Sequence, residues 1–196
     1  FDGGNPCDRV KLKEVHCRTN LGFVWINLKE KPQSFEDALS PILEHLKPYQ
    51  GEKFIRVLNL TAEVNCNWKV IHDNFNESYH LPTLHPELEV HIENSYKYSQ
   101  FDMYENGHNR MLMPGHLPAK DGQNPDLVNF PLDEALKAWD LNPNDFQGNA
   151  QNTREAIQSQ KKKLAKDRGF WHYEHLTDEQ LTDYYHYTCF PNFTLT

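Results

Sequence analysis

The segment that most constrains the fold of this chain is residues 67–86, which combines a helical pattern of apolar residues with three histidines and two prolines. Its apolar residues recur at the spacing of one helix face packed against a core. That stripe consists of Trp68, Ile71, Phe75 and Tyr79. Asn65 or Asn67 fits the N-cap of this helix. Because proline disfavours helix in the residue before it, Pro82 predicts a helix end near His80.

The polar side of the same helix carries candidate metal ligands. Asp73, Glu77 and His80 have the spacing i, i+4, i+7 and would therefore share one helix face. His85 follows a turn broken by proline and can approach His80. Two imidazoles and one carboxylate are the donors of a facial triad, which suits non-haem Fe(II). Spacing alone makes Glu77 the carboxylate ligand; the alternative is that these are surface side chains on a polar helix face.

The rest of the chain predicts an α+β fold with an antiparallel sheet, because strands and helices do not alternate in the βαβ rhythm of a parallel sheet. Helices are expected near residues 34–46, 67–80, 133–139 and 152–166, and Thr177 with Gln180 resembles a capping box. Residues 114–150 are otherwise loop-like. Alternating or β-rich runs predict strands at residues 10–13, 21–28, 54–64, 94–104, 184–190 and 193–196.

Composition excludes several classes of protein. The 196 residues are the length of one large domain, and no apolar run approaches the ~18 residues of a membrane span. The net charge is −8 and the basic run at residues 161–163 is short, so a nucleic-acid partner is not expected. Four cysteines without CxxC spacing indicate buried free thiols and a cytoplasmic protein. Eleven histidines justify the search for metal ligands.

Residues 67–86 resemble the iron-binding segment of the α-subunits of Rieske non-haem iron oxygenases. The motif is Asn-Trp-Lys, then Asp-Asn-Phe, then Glu-x-Tyr-His and, after four residues, His-Pro. Two further stretches agree with the family. Residues 22–28 resemble the closing strand of its Rieske domain, and residues 185–192 resemble the Phe-Pro-Asn strand of its catalytic domain.

This resemblance implies a role for individual residues. His80 and His85 would be the two iron ligands. Glu77 would not be a ligand but the bridge that accepts a hydrogen bond from a cluster-binding histidine of the neighbouring subunit. Asn74 would lie near the iron. The third ligand of the family is an aspartate on a long C-terminal helix, so we expect it beyond Thr196.

The resemblance also implies a domain arrangement. Residues 1–30 would close a preceding Rieske-type domain, and residues 31–196 would form a partial catalytic domain with a helix-grip (START/Bet v 1-like) fold, incomplete at its C-terminus. A Rieske [2Fe-2S] cluster needs Cys-x-His and Cys-x-x-His pairs, which this sequence lacks. We therefore expect the cluster domain before Phe1, in a longer subunit.

The expected activity follows from the same resemblance. The chain would be part of the terminal oxygenase component of a Rieske-type dioxygenase or monooxygenase. It would use O2 and electrons from NAD(P)H, delivered by a reductase or ferredoxin, to hydroxylate an aromatic or other small apolar substrate. The family implies a ring of subunits, a homotrimer or α3β3.

Three other interpretations remain open on sequence alone. Glu77 and His80, with Glu105 and His108, would fit a di-iron carboxylate motif on long helices. His172, His175 and Cys189 could be imagined as zinc ligands, although no fourth ligand is evident; solvated or capping histidines are the plainer interpretation. A metal-free helix-grip module that binds an apolar molecule is the alternative from a different functional class.

Overall fold

The computed structural model describes residues 11–122 and 124–196, which form two compact units divided between Val57 and Leu58. The predicted domain boundary near residue 30 stays a prediction. The strands are β1 (His16–Asn20), β2 (Phe23–Asn27), β3 (Gln100–Met103), β4 (Asn109–Met113), β5 (Tyr184–Cys189) and β6 (Phe193–Leu195). The α-helices are α1 (Phe35–Leu39), α2 (Ile42–Leu46), α3 (Trp68–Asn74), α4 (Leu81–Leu84), α5 (Leu132–Ala138), α6 (Thr153–Leu164) and α7 (Asp178–Thr182). Short 3-10 helices are Lys47–Tyr49, Gly51–Lys53, Pro86–Val90, Pro143–Phe146, Ala150–Asn152 and Trp171–His175.

The first unit is built on the hairpin of β1 and β2. Leu21 and Gly22 form its two-residue turn with φ of 55° and 81°, the left-handed pair that matches the twist of the flanking strands. The strand predicted at 21–28 is confirmed as β2. The strand predicted at 10–13 is wrong over Lys11–Lys13, which has no regular structure, and Val10 lies outside the described residues.

The second unit contains a four-stranded antiparallel sheet in the order β3-β4-β5-β6. Met111 lies opposite His186, and Arg110 lies opposite Tyr187, so these two pairs face opposite sides of the sheet. The mixed α+β fold with an antiparallel sheet is confirmed. The predicted helices over 133–139 and 152–166, the capping box and the two final strands are confirmed as well.

Two apolar clusters stabilise the second unit. One packs helices α5 and α6 together through Val128, Leu132, Leu136, Ala150 and Ile157. The other joins the first residue of α4 to one face of the sheet through Leu81, Ile92, Met111 and Met113. The second cluster matters for function because it anchors the segment that carries the candidate metal ligands.

The strand predicted at residues 54–64 is wrong. This segment has no regular structure, and no described strand pairs with it. Its alternating pattern therefore does not lead to a strand among the described residues. A strand needs a neighbouring strand to satisfy its backbone groups. Its apolar side chains are exposed: Phe54, Ile55, Val57, Leu58, Leu60 and Val64. The strand predicted over 94–104 is shorter than expected and begins only at Gln100.

The helix predicted through His80 is also wrong, because α3 ends at Asn74. The side-chain amide of Asn76 donates to the carbonyl oxygen of His72 at 2.8 Å, and this carbonyl would otherwise accept the next helical N–H. Pro82 does not end a helix but lies in the first turn of α4, where its missing N–H has no helical partner to lose. None of the described helices is long and apolar enough to cross a membrane.

Candidate functional site

The site is built on α4, a single helical turn with a histidine at each end. His80 is its N-cap and His85 its C-cap, and the N–H of His85 donates to the carbonyl of Leu81 at 2.8 Å. Leu81 is buried in the cluster with the sheet, which fixes the turn on the core. The two imidazoles consequently lie 5.6 Å apart between ring centroids and nearly perpendicular to each other, at 77°.

Glu77 holds the ring of His80. Nδ1 of His80 donates to one carboxylate oxygen of Glu77, and the backbone N–H of His80 donates to the other at 3.3 Å. Both side chains are mostly buried, with 13 % of His80 and 19 % of Glu77 exposed. Because a carboxylate can only accept, this contact puts the proton of a neutral ring on Nδ1 and leaves the Nε2 lone pair available to a metal.

His85 has a weaker version of the same arrangement. Its Nδ1 lies 3.5 Å from a carboxylate oxygen of Glu87, and both side chains are about half exposed. Glu87 follows His85 by two residues at the start of the next 3-10 helix. The carboxylate beside each imidazole is the usual surrounding of a histidine that binds a metal through its other nitrogen.

Short polar contacts tie the turn before His80 to the rest of the unit. The hydroxyl of Ser78 donates to the carbonyl of Asn94 at 2.8 Å, and Nδ2 of Asn76 lies 3.3 Å from Oγ1 of Thr188 on β5. The turn that carries Glu77 is therefore fixed on both sides, so the orientation of Glu77 is a property of the fold.

Several residues singled out from the helical pattern lie elsewhere than expected. Asp73 is exposed and does not share a helix face with Glu77 and His80, because α3 ends between them. Asn74 is exposed as well. Tyr79 has 82 % of its surface exposed, so it is not a core residue.

The aromatic stripe is likewise not a buried core, because Trp68, Ile71 and Phe75 are each about two-fifths exposed. Trp68 packs against Phe190, with ring centroids 5.9 Å apart. Phe75 is stacked on His186, with centroids 4.6 Å apart and planes within 9°. Both rings therefore contact β5 or the residue after it and remain partly exposed.

Among residues 11–122 and 124–196, no three histidine, cysteine or acidic side chains converge as a metal site would require. Asp102 is engaged by the guanidinium of Arg110, and Asp183 by that of Arg154. Burial raises the pKa of Asp183, and Arg154 opposes that shift. Both carboxylates therefore have structural partners.

The two other metal interpretations do not fit the structure. Glu105 and His108 lie in and beside the turn between β3 and β4, not on a long helix, and Nδ1 of His108 accepts the backbone N–H of Phe190 at 3.0 Å. His172 and His175 lie on a 3-10 helix. Cys189 is buried in β5, where burial raises its thiol pKa to about 12.

Sequence reasoning missed three residues that the fold brings to this region: Asn76, Glu87 and His186. His186 is 1 % exposed and lies on the sheet face that carries Met111. Burial, and secondly the charge of nearby His72, lowers its pKa to about 4, so the ring is neutral at pH 7. Only the packing of the end of α3 against β5 brings it near residues 75–76, more than a hundred positions earlier.

Comparison with known proteins identifies a family and several relatives. Residues 52–196 match the family model described as ring hydroxylating alpha subunit (catalytic domain). The glycine betaine monooxygenase oxygenase subunit of Pseudomonas aeruginosa is 32 % identical over 77 residues, 39 % of this chain and 18 % of that protein. The carnitine monooxygenase oxygenase subunit of Acinetobacter pittii is 42 % identical over 69 residues, 33 % of this chain and 18 % of that protein.

A third relative is the methanesulfonate monooxygenase hydroxylase subunit alpha of Methylosulfonomonas methylovora, 28 % identical over 105 residues. That match covers 53 % of this chain and 25 % of the relative. The matched regions thus span a quarter or less of these relatives' lengths. No solved structure matches the chain significantly.

Proposed function

The chain belongs to the ring-hydroxylating alpha subunits, through their catalytic domain, and from this premise we propose that it holds the mononuclear iron of a Rieske-type terminal oxygenase. His80 and His85 are the proposed ligands, each through Nε2. The observation that carries this proposal is the carboxylate beside Nδ1 of each ring, Glu77 for His80 and Glu87 for His85. Such a pairing fixes the tautomer that presents Nε2 to a metal.

The donor set fits ferrous iron in part. Two neutral imidazoles on the two ends of one helical turn supply two of the three protein ligands of a 2-His-1-carboxylate site. The carboxylate ligand has no candidate in the described ranges, and we propose that it comes from a part of the subunit beyond Thr196. When bound, the iron would supply dioxygen activation beside the substrate.

Glu77 has two tasks in this proposal. It accepts the Nδ1 proton of His80 and so orients the ligand ring. In the bridging role that the family resemblance implies, the same carboxylate would also accept a hydrogen bond from a histidine of a neighbouring subunit's Rieske domain. That histidine would belong to a [2Fe-2S] cluster held by a domain preceding this chain, reduced by NAD(P)H through a reductase or ferredoxin. A ring of subunits, a homotrimer or α3β3, would bring the two together.

The proposed role of Asn74 is polar contact near the iron. Its side chain is exposed, so this role requires a further segment of the subunit to cover the end of α3. The exposed aromatic rings of the same helix support that requirement, because large apolar side chains seldom stay exposed together without a partner.

The substrate is proposed only as a small organic molecule. The family resemblance seen in the sequence implies an aromatic or other small apolar compound. The named relatives act on glycine betaine, carnitine and methanesulfonate, and each of these compounds carries a carboxylate or sulfonate group. We therefore propose that the substrate is a small molecule with a carboxylate or sulfonate group, in preference to an aromatic hydrocarbon. We also propose monooxygenation in preference to dihydroxylation.

Metal analysis of the complete subunit tests the proposal against the metal-free ligand-binding alternative. We expect mononuclear iron in addition to cluster iron. A variant with both His80→Ala and His85→Ala should lose the mononuclear iron and keep the cluster. A complete subunit that carries no mononuclear iron after anaerobic loading with Fe(II) would contradict the proposal and favour the metal-free module.

A further inference from the structure

His186 carries an unpaired polar atom in the interior of the second unit. Its Nδ1 lies 2.6 Å from Oγ1 of Thr196, but its buried Nε2 has no hydrogen-bond partner. About nine-tenths or more of the buried polar groups in folded proteins are paired, because an unpaired one loses its hydrogen bonds to water without replacement. An unpaired nitrogen on a ring that is only 1 % exposed therefore points to a partner that the described residues do not supply.

The contact with Thr196 fits one arrangement of the ring proton. Oγ1 of Thr196 lies 2.6 Å from Nδ1, a distance at which a hydroxyl can donate. When this hydroxyl donates to Nδ1, the single proton of the neutral ring is on Nε2. The two nitrogens are separated by Cε1 and their in-plane directions diverge, so the Nε2–H group is directed away from Thr196.

The position of His186 relates it to the candidate iron site. It lies opposite Met111 on β4, and Met111 belongs to the cluster that contains Leu81, the residue after His80. Phe75, two residues before Glu77, is stacked on the imidazole. Stacking covers the face of the ring, whereas Nε2–H donates in the ring plane, so Phe75 does not occupy the donor.

The surroundings of His186 favour an anionic acceptor. Burial first, and then the nearby His72, lower its pKa, and no carboxylate of the described residues contributes to the shift. A carboxylate or sulfonate oxygen brought to Nε2 would therefore meet no negative charge there. Hydrogen bonds to a charged acceptor are about twice as strong as neutral ones.

We infer that Nε2–H of His186 donates to a carboxylate or sulfonate oxygen of the substrate, which makes His186 a specificity-determining residue. This inference rests on the proposed function, because it requires the substrate to bind on the sheet face beside His80 and His85. It goes further than that proposal by naming the protein group that selects a substrate with a carboxylate or sulfonate.

The test compares two probes with the complete subunit loaded with iron. Glycine betaine and choline share a trimethylammonium group, and they differ in bearing a carboxylate or an alcohol. Their dissociation constants are measured by calorimetry for the natural protein, His186→Phe, His186→Gln and the control Tyr185→Phe. Tyr185 lies next to His186 on β5 but faces the other side of the sheet.

The natural protein should bind glycine betaine more tightly than choline. His186→Phe keeps a flat ring under Phe75 and should weaken glycine betaine binding about tenfold or more, with less than a twofold effect on choline. His186→Gln should recover part of the loss, and Tyr185→Phe should change neither constant.

Equal affinity of the natural protein for both probes, or unchanged glycine betaine binding by His186→Phe, would overturn the inference. The comparison of probes with the natural protein needs no variant, so it holds even if a variant fails to fold. Iron content separates the two proposals. Normal mononuclear iron without carboxylate preference overturns only the role of His186, whereas absent iron overturns the proposed function.

Discussion

Removal of the Glu77 carboxylate should weaken Fe(II) binding, because this carboxylate holds the proposed ligand His80 in its metal-binding tautomer. Both oxygens of Glu77 are engaged by His80, one by the ring and one by the backbone N–H, and the pair is more than four-fifths buried. Loss of such a partner typically costs about 10–100-fold in metal affinity. We therefore expect Glu77→Ala to raise the Fe(II) dissociation constant of the complete subunit by that factor.

The chain offers a matched control in Glu87, which faces His85 in the same way but at 3.5 Å and with its side chain 60 % exposed. Exposed pairs contribute about 0–1 kcal/mol, so Glu87→Ala should change the affinity by no more than about fivefold. Glu77→Gln keeps an acceptor for Nδ1, so its effect on the Fe(II) affinity should lie between those of Glu77→Ala and Glu87→Ala. In single-turnover experiments it should keep its iron and slow reduction of the iron site if Glu77 also bridges the subunits.

The assay is anaerobic competition for Fe(II) against a chromophoric chelator, with thermal unfolding measured in parallel. Equal effects of Glu77→Ala and Glu87→Ala would refute the reasoning, because burial would then not distinguish the two carboxylates. Unchanged affinity in Glu77→Ala would show that Glu77 does not orient a ligand. Normal single-turnover yield and rate in Glu77→Gln would contradict the bridging role.

Three further predictions concern stability and are checked by denaturant or thermal unfolding of the same protein. Leu81→Ala empties part of a buried cluster and should lower the free energy of unfolding by about 2–5 kcal/mol, whereas exposed Leu84→Ala should have little effect. Arg154→Ala leaves the Asp183 carboxylate buried without its partner and should cost about 3–5 kcal/mol, unless Asp183→Asn is introduced as well. Burial, aided by the charges of Lys161, His91 and Arg154, lowers the pKa of His116 to about 3. As the pH falls, His116 therefore takes up a proton in the unfolded chain at a higher pH than in the folded protein. Stability should fall as the pH drops below 6.5, with a slope of up to about 1.4 kcal/mol per pH unit from this group, and His116→Gln should reduce that slope; an unchanged slope would contradict the assignment.

The sequence predicted the type of most elements in the second unit because local signals decide them. The capping box at Thr177 predicts a helix start, and the β-rich run that becomes β5 predicts a strand, each from a few neighbouring residues. The end of α3 depends on a side chain instead, since the amide of Asn76 takes the carbonyl of His72 that a longer helix would use. A helical period in the apolar residues cannot reveal that competition.

Long-range contacts explain what sequence reasoning missed. The alternation in residues 54–64 shows which side chains could share a strand face, but it cannot say whether a neighbouring strand exists, and none of the described strands pairs with it. In the same way, the motif indicates His80 and His85 as ligands, whereas the contact between Phe75 and His186 depends on how the end of α3 packs against β5. Local motifs thus indicate the chemistry, and the sheet determines what surrounds it.

The central claim is that His80 and His85 both bind the iron, and X-ray absorption at the iron edge tests it most directly. The measurement needs the complete subunit with its cluster iron replaced or subtracted, so that the mononuclear site is observed alone. We expect the scattering of two imidazoles, reduced to one in His80→Ala and in His85→Ala. A mononuclear iron whose imidazole scattering is unchanged by either substitution would contradict the account.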